Sequence, residues 1–174
     1  RALQRRIGLS NEGAGRDMIC QSSPVGPLGA NAANGAITEL LWGRSGNLTD
    51  GALHAEISAE MTAYFAGELR RFEAPVAPRG SAFQQEFYQA LCAIPYGETR
   101  TYGDLATDLG VSAQAIGQAC GANPIAIIIP CHRVLAANGL GGYSGAGGRI
   151  CCATPAKSKY TDVRIKPQCA QLLG

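Results

Sequence analysis

The sequence predicts an α/β protein of the α+β kind: a small amino-terminal β-sheet plus helix, followed by a helical carboxy-terminal half with a helix-turn-helix. Three observations predict it. Turn signals and an Asn-Gly pair crowd the stretch from Met18 to Trp42, as short antiparallel strands require. Apolar residues then recur at helical spacing from Leu53 onward. Beyond Gly80, three helix-cap signatures follow in quick succession, the last two straddling a single glycine.

In chain order, residues 1–17 are polar, with Arg1, Arg5, Arg6 and Arg16, and read as a flexible arm. Residues 18–77 form the expected β/α domain. Ser23-Pro24-Val25-Gly26-Pro27 marks a turn, and Asn34-Gly35 a hairpin between two strands. Asp50 is placed to cap a helix whose stripe is Leu53, Ile57, Met61, Tyr64, Phe65, Leu69 and Phe72. Glu73 to Gly80, with Pro75 and Pro78, reads as a linker. Residues 78–148 form the second domain. Ser81 with Gln84 is a capping box for a helix with Phe83, Phe87, Leu91 and Ile94 on its core face, ending at Pro95-Tyr96-Gly97. Thr101 with Asp104 repeats the box and opens a short helix to Leu109, closed by Gly110. Ser112 caps the next helix, Ala113 to Cys120, closed by Gly121, and the pair makes the helix-turn-helix. Residues 149–174 are an atypical tail with Pro155, Pro167 and five cations.

Composition narrows the function classes. With 46% hydrophobic and 16% charged residues, the chain has the balance of an ordinary globular protein. A net charge of +2 permits local contact with nucleic acid without arguing for it. The seven cysteines are scattered, none in Cys-x-x-Cys spacing, and only His54 and His132 accompany them, so no metal site is expected. Free thiols in that number suggest a reducing compartment. No apolar run approaches a membrane span and the opening residues do not resemble a signal peptide. The expectation is a cytoplasmic protein, nuclear if eukaryotic.

Chemistry concentrates between Asn123 and Val134. The apolar run Ile125–Ile129 reads as a buried strand or core segment, ended by Pro130, and a cysteine and a histidine come next. A thiol acts as a nucleophile only when deprotonated, and an adjacent base is one of few ways to arrange that. For a bare Cys-His pair the favoured reading is a small buried cysteine beside a surface histidine. The second helix of the helix-turn-helix offers only Gln114 and Gln118 as long polar side chains, among Ala115, Gly117 and Ala119. Such small residues suit close approach to a groove without strong sequence preference, and equally suit tight packing on a neighbouring helix.

Ile129-Pro130-Cys131-His132-Arg133-Val134, preceded by Asn123-Pro124, resembles the signature of the O6-alkylguanine-DNA alkyltransferases. Tyr64-Phe65-Ala66-Gly67, Phe83-Gln84, Ile94-Pro95-Tyr96-Gly97, Thr101-Tyr102-Gly103 and Gly142-Tyr143-Ser144-Gly145 match in the same order, covering about Met18 to Gly148. The resemblance implies direct reversal of DNA damage, in which an alkyl group moves from O6 of guanine, or less readily O4 of thymine, to the protein's own thiol. It implies Cys131 as acceptor and His132 as the base, acting through a bound water. Tyr102 would bond the extruded base and supply a proton, and Asn123 would brace the segment. Val134 and Cys131 would offer carbonyls to the guanine amine, with Ser144 on its O6 side and Tyr143 lining the pocket. The implied DNA contacts are Gln114, Ala115, Gly117, Thr101 and Arg133. Double-stranded DNA with alkylated bases is the implied partner of a monomer needing no cofactor.

Two departures stand out. The family places an arginine where this chain has Gln114, losing charge and fork geometry. The family also orients its histidine with a glutamate in a carboxy-terminal helix. This chain has no glutamate after Glu98, and its only acid after Cys131 is Asp162. Asp162 substitutes, or water alone orients His132, or the thiolate is poorly supported. Three rivals follow: an alkyltransferase-like protein that holds the lesion without transfer, a cysteine hydrolase, and a transcription regulator. The presence of Cys131, the opposed directions of neighbouring side chains on an extended segment and the weak base-reading helix count against them in turn.

Overall fold

The computed structural model describes residues 18–137. Tyr143, Ser144, Asp162 and the tail lie outside the described residues. Strands β1 (Met18–Cys20), β2 (Leu28–Ala33) and β3 (Ala36–Trp42) form an antiparallel sheet in that order. The hairpin is where the sequence puts it. Asn34 and Gly35 take φ of 53° and 74°, the two positive values of a type I′ turn, whose twist matches the strands. The loop after β3 folds back over β2, with backbone oxygens so near Gly29 and Gly46 that a Cβ at either would overlap them.

Helix α1 (Gly51–Phe65) packs on β1 and is capped by Asp50, whose Oδ1 accepts from Ala52 and Leu53 N–H. Its buried stripe is Leu53, Ile57, Met61 and Tyr64. The stripe expected to reach Phe72 is cut short, because Gly67 takes φ +78° and Glu68 and Leu69 turn back to the Ala63 carbonyl. Leu69 and Phe72 still pack against the core, from a loop. The following linker is stitched down: Ile37 N–H donates to Pro75 O at 2.8 Å and Ala77 N–H to Ile37 O at 2.7 Å, covering an edge of β3.

Helix α2 (Ala82–Cys92) starts at the Ser81–Gln84 capping box. Helix α3 (Tyr102–Leu109) starts at the Thr101–Asp104 box and ends at Gly110 in the left-handed region. Helix α4 (Ala113–Gly121) starts at Ser112 and packs on α3. It runs one residue further than expected, with Gly121 still helical and Ala122 as the cap. One buried cluster joins Leu28, Ile57 and Met61 to Phe87, Leu105, Ile116 and Ile129, so both halves share a core.

The apolar run 125–129 is core but not strand. Ile127 sits at φ +80° and Ile129 N–H returns to Ile125 O at 2.9 Å, a compact turn fixed at both ends. The two-residue strands β4 (Arg100–Thr101) and β5 (Val134–Leu135) pair in parallel, Arg100 with Val134 and Thr101 with Leu135. That pairing brings the start of α3 beside the chain just after Cys131.

Candidate active site and nucleic-acid interface

Cys131, His132 and Arg133 form a single 3₁₀ turn between Pro130 and β5. Asn123 anchors its approach. The Asn123 Nδ2 donates to Ile129 O at 2.9 Å, while its Oδ1 accepts from Ile125 N–H at 3.0 Å. One side chain thus closes the loop that leads to the cysteine. Cys131 is 2% exposed and His132 5%.

The imidazole lies in the core, where burial, seconded by the Arg133 charge, pushes His132 down to about 3. It is therefore neutral at physiological pH, with a lone pair on one ring nitrogen. Its Nε2 is 3.1 Å from the Tyr64 hydroxyl, carried by the last turn of α1. Burial raises the Tyr64 phenol, opposed by the Arg133 charge. The sequence places Tyr64 in the core stripe and in the Tyr64-Phe65-Ala66-Gly67 match, without a role in the site. The available signal was a hydroxyl-bearing ring in a stripe that aliphatic residues could have filled.

The neighbouring thiol of Cys120 is silenced: burial, with Cys131 nearby, pushes it up to about 12. Tyr102 opens α3 and is half-buried, with a cavity of about 470 Å³ nearby, bounded by Gly97–Thr101, Leu135 and Ala136. Val134 is fully buried in β5. Among the described residues no cluster of three or more His, Cys, Asp or Glu could hold a metal ion, and no helix there is long and apolar enough to cross a membrane.

On the helix-turn-helix, Gln114 and Gln118 are exposed and Ala115 and Gly117 half-buried. The side chains that α4 packs inward are Ile116, Ala119 and Cys120. A Cβ at Gly117 would meet nothing within 4 Å, so packing within the chain does not demand a glycine there. Thr101 commits its hydroxyl to the cap, accepting from Asp104 N–H at 3.0 Å.

Arg133 requires a correction. It was expected among the DNA contacts, but it is 7% exposed. The 3₁₀ turn aims it inward, where Nη1 donates to Ile94 O at 2.6 Å and the guanidinium lies 5.7 Å from the Tyr96 ring centre. It lines a cavity of about 610 Å³ with Arg70, Arg71 and Tyr96, and no residue of α3 or α4 borders that space. A guanidinium held this way is a structural donor.

Fold and site define a class: an α+β protein with a helix-turn-helix whose first helix is registered against a buried Cys-His turn. The family model described as 6-O-methylguanine DNA methyltransferase, DNA binding domain, matches residues 82–154. A methylated-DNA–protein-cysteine methyltransferase of Mycobacterium leprae is 44% identical over 142 residues, covering 75% of this chain and 86% of that one. One from Methanosarcina acetivorans is 53% identical over 92 residues, covering 51% and 59%. Among solved structures, Mycobacterium tuberculosis OGT in complex with DNA matches at TM-score 0.61 and 41% identity, covering 70% of this chain and 80% of that one. The Mycobacterium tuberculosis O6-methylguanine methyltransferase matches at TM-score 0.65 and 36% identity, covering 84% and 94%. This chain belongs to the 6-O-methylguanine DNA methyltransferase family.

Proposed function

We propose that this protein repairs alkylated double-stranded DNA by direct reversal, moving a methyl group from O6 of guanine to its own Cys131. Relatives named for that transfer, and a relative solved with DNA, support the reaction class. The observation that carries the residue assignment is the Cys131–His132 turn, whose buried imidazole is neutral and sits next in sequence to a buried thiol.

Attack at a saturated methyl carbon is an in-line displacement, with no carbonyl and no need for an oxyanion hole. The Cys131 sulfur forms the new bond to carbon as the carbon–O6 bond breaks. His132 takes the thiol proton, and the Tyr102 phenol protonates the departing guanine; the proton held by His132 then makes good the one Tyr102 gave. The net change exchanges the thiol proton for a methyl and the guanine methyl for a proton. The target atom lies inside the duplex, so the base must leave the stack at a cost of a few kcal/mol, less for a damaged pair. Gln114 fills the vacated space, while Ala115 and Gly117 let the backbone come close to the groove; the open space at Gly117 supports this. Tyr143 and Ser144 complete the base pocket on the family pattern. The thioether product is not hydrolysed, so one molecule repairs one lesion. A thiol kept for this purpose needs a reducing compartment, which places the monomer in the cytoplasm, or in the nucleus if the source is eukaryotic.

The test is to incubate the protein with an O6-methylguanine duplex and take an intact mass with peptide mapping. One added methyl on Cys131, at most one lesion cleared per molecule, and none by Cys131→Ser are expected. Clearance by Cys131→Ser, or several turnovers per molecule, would overturn the assignment. Tight binding with unchanged mass would instead point to a protein that holds lesions.

A further inference from the structure

We propose that Tyr64 is a positioning residue for methyl transfer, holding His132 through Nε2 so that the thiol proton is received at Nδ1. The inference rests on the reading of Cys131 and His132 just given. The sequence raised the question of what orients this histidine in a chain with no glutamate after position 98. The structure puts a phenol oxygen from the amino-terminal half at 3.1 Å from Nε2, across 68 residues of chain.

The placement is rigid. Tyr64 is 1% exposed, and its ring is fenced by Phe65 at 5.8 Å edge-on, Phe72 at 4.9 Å and Tyr96 at 6.2 Å edge-on. With χ1 and χ2 locked by packing, the hydroxyl can rotate only about its own C–O bond. The ordering entropy of the contact is thus met on folding rather than at the moment of reaction.

The chemistry follows from what a hydroxyl offers. With Nε2 facing Tyr64, proton exchange with Cys131 passes through Nδ1. When His132 carries the thiol proton, both ring nitrogens are donors, and Tyr64 Oη is the acceptor for Nε2–H. With Nε2–H present at rest as well, the hydroxyl oxygen accepts from it before and after proton transfer, and the bond is kept throughout. It supplies no negative charge, unlike a carboxylate, and it works beside the cationic Arg133, whose guanidinium also hydrogen-bonds the phenol, with Tyr96 edge-on against its ring. The support it lends is orientation and one hydrogen bond, weaker than that of an ion pair. The amino-terminal half therefore takes part in the reaction through one atom.

Tyr64→Phe preserves the fenced ring and deletes only that atom. Single-turnover rates on an O6-methylguanine duplex are measured from pH 6 to 9, with affinity for the lesion duplex and the thermal midpoint alongside. The expected result is a rate about tenfold lower near neutrality, as for loss of an orienting partner, with the deficit closing as the pH nears that at which thiols ionise unaided, about 8.5. In a His132→Gln background the same substitution costs nothing further. Parent-like rates at every pH, a deficit of constant size across the range, or additive losses in the double variant would each overturn the proposal. Should Tyr64→Phe fold poorly, the imidazole ¹⁵N shifts of His132 in the parent decide: Nε2 as the protonated nitrogen is expected, and Nδ1–H at rest overturns it. A parent that transfers no methyl fails at the site reading itself, which the mass measurement on Cys131 detects separately.

Discussion

Replacing Asn123 with alanine tests how the thiol is held. Its amide makes two hydrogen bonds, to Ile129 O at 2.9 Å and from Ile125 N–H at 3.0 Å. Each is worth about 1 kcal/mol net, but leaving a buried backbone group unpaired costs about 1–3 kcal/mol. Both flanking residues are buried, so Asn123→Ala should destabilise by about 2–4 kcal/mol. The clasp also holds Ile127 at φ +80°, a strain of about 1–3 kcal/mol for a β-branched residue. Freed of it, the loop relaxes toward ordinary φ and displaces Pro130 and Cys131, so methyl transfer slows more than the stability loss alone implies. Urea unfolding followed by the single tryptophan, Trp42, gives the first quantity, and single-turnover transfer the second. A companion pair checks the strain. Ile127→Gly should be less damaging than Ile127→Ala by about 1 kcal/mol, the reverse of the usual order, because glycine adopts positive φ freely. A loss below about 0.5 kcal/mol with an unchanged transfer rate for Asn123→Ala would refute the bracing argument.

Acid should expose the buried imidazole. His132 titrates near 3 when folded against an ordinary value near 6.5, so between these values the unfolded chain binds more protons. Its contribution is complete above pH 6.5 and drains as pH falls toward 3, at up to about 1.4 kcal/mol per unit. Denaturant midpoints at pH 7 and 5 should differ less in His132→Gln. Gln114→Arg adds a charge at the exposed start of α4. It should tighten duplex binding and steepen the dependence of log affinity on log salt by about 0.9; an unchanged slope and rate would remove the wedge assignment. Arg133→Met should destabilise by about 1–3 kcal/mol, since it strips the Ile94 carbonyl of its donor, and should leave the salt slope unaltered. A shallower slope would return Arg133 to the DNA interface.

What could be read from the sequence was local. Asp50, Ser81, Thr101 and Ser112 cap the helices they precede, because a cap is decided by three or four neighbouring residues. Asn34-Gly35 makes its hairpin and Gly110 its left-handed turn for the same reason. The misreadings are tertiary. Helical spacing continued through Leu69 and Phe72, but Gly67 turned the chain first, and both side chains reached the core without being helical. Of the two readings open for Ile125 to Ile129, strand or core segment, the chain takes the core one, and the Asn123 side chain rather than a ladder bonds its two ends. Arg133 stood among the DNA contacts the resemblance implies, and periodicity carries no sign that a 3₁₀ turn would bury it. The Tyr64–His132 contact joins residues 68 apart, which no windowed pattern could show.

These failures share a location, and that is informative. The chain departs from local expectation around Cys131: a β-branched residue at positive φ, a two-residue parallel pairing, a buried cation and a buried imidazole. Each costs free energy that an ordinary core would avoid. Exposure does not mark the proposed acceptor thiol, since Cys92 is exposed and Cys131 is not. Burial does not mark it either, since Cys120 is also buried, and moving its thiol from 9.0 to about 12 corresponds to roughly 4 kcal/mol against ionisation. What separates Cys131 from both is its setting: a neutral imidazole next in sequence, held by a phenol from the other half, and a paired strand that sets the first turn of α3 beside it. Selectivity for Cys131 over Cys92 and Cys120 is therefore a property of registration, and substitutions that loosen the β4–β5 pairing or the Asn123 clasp should erode it before they unfold the protein.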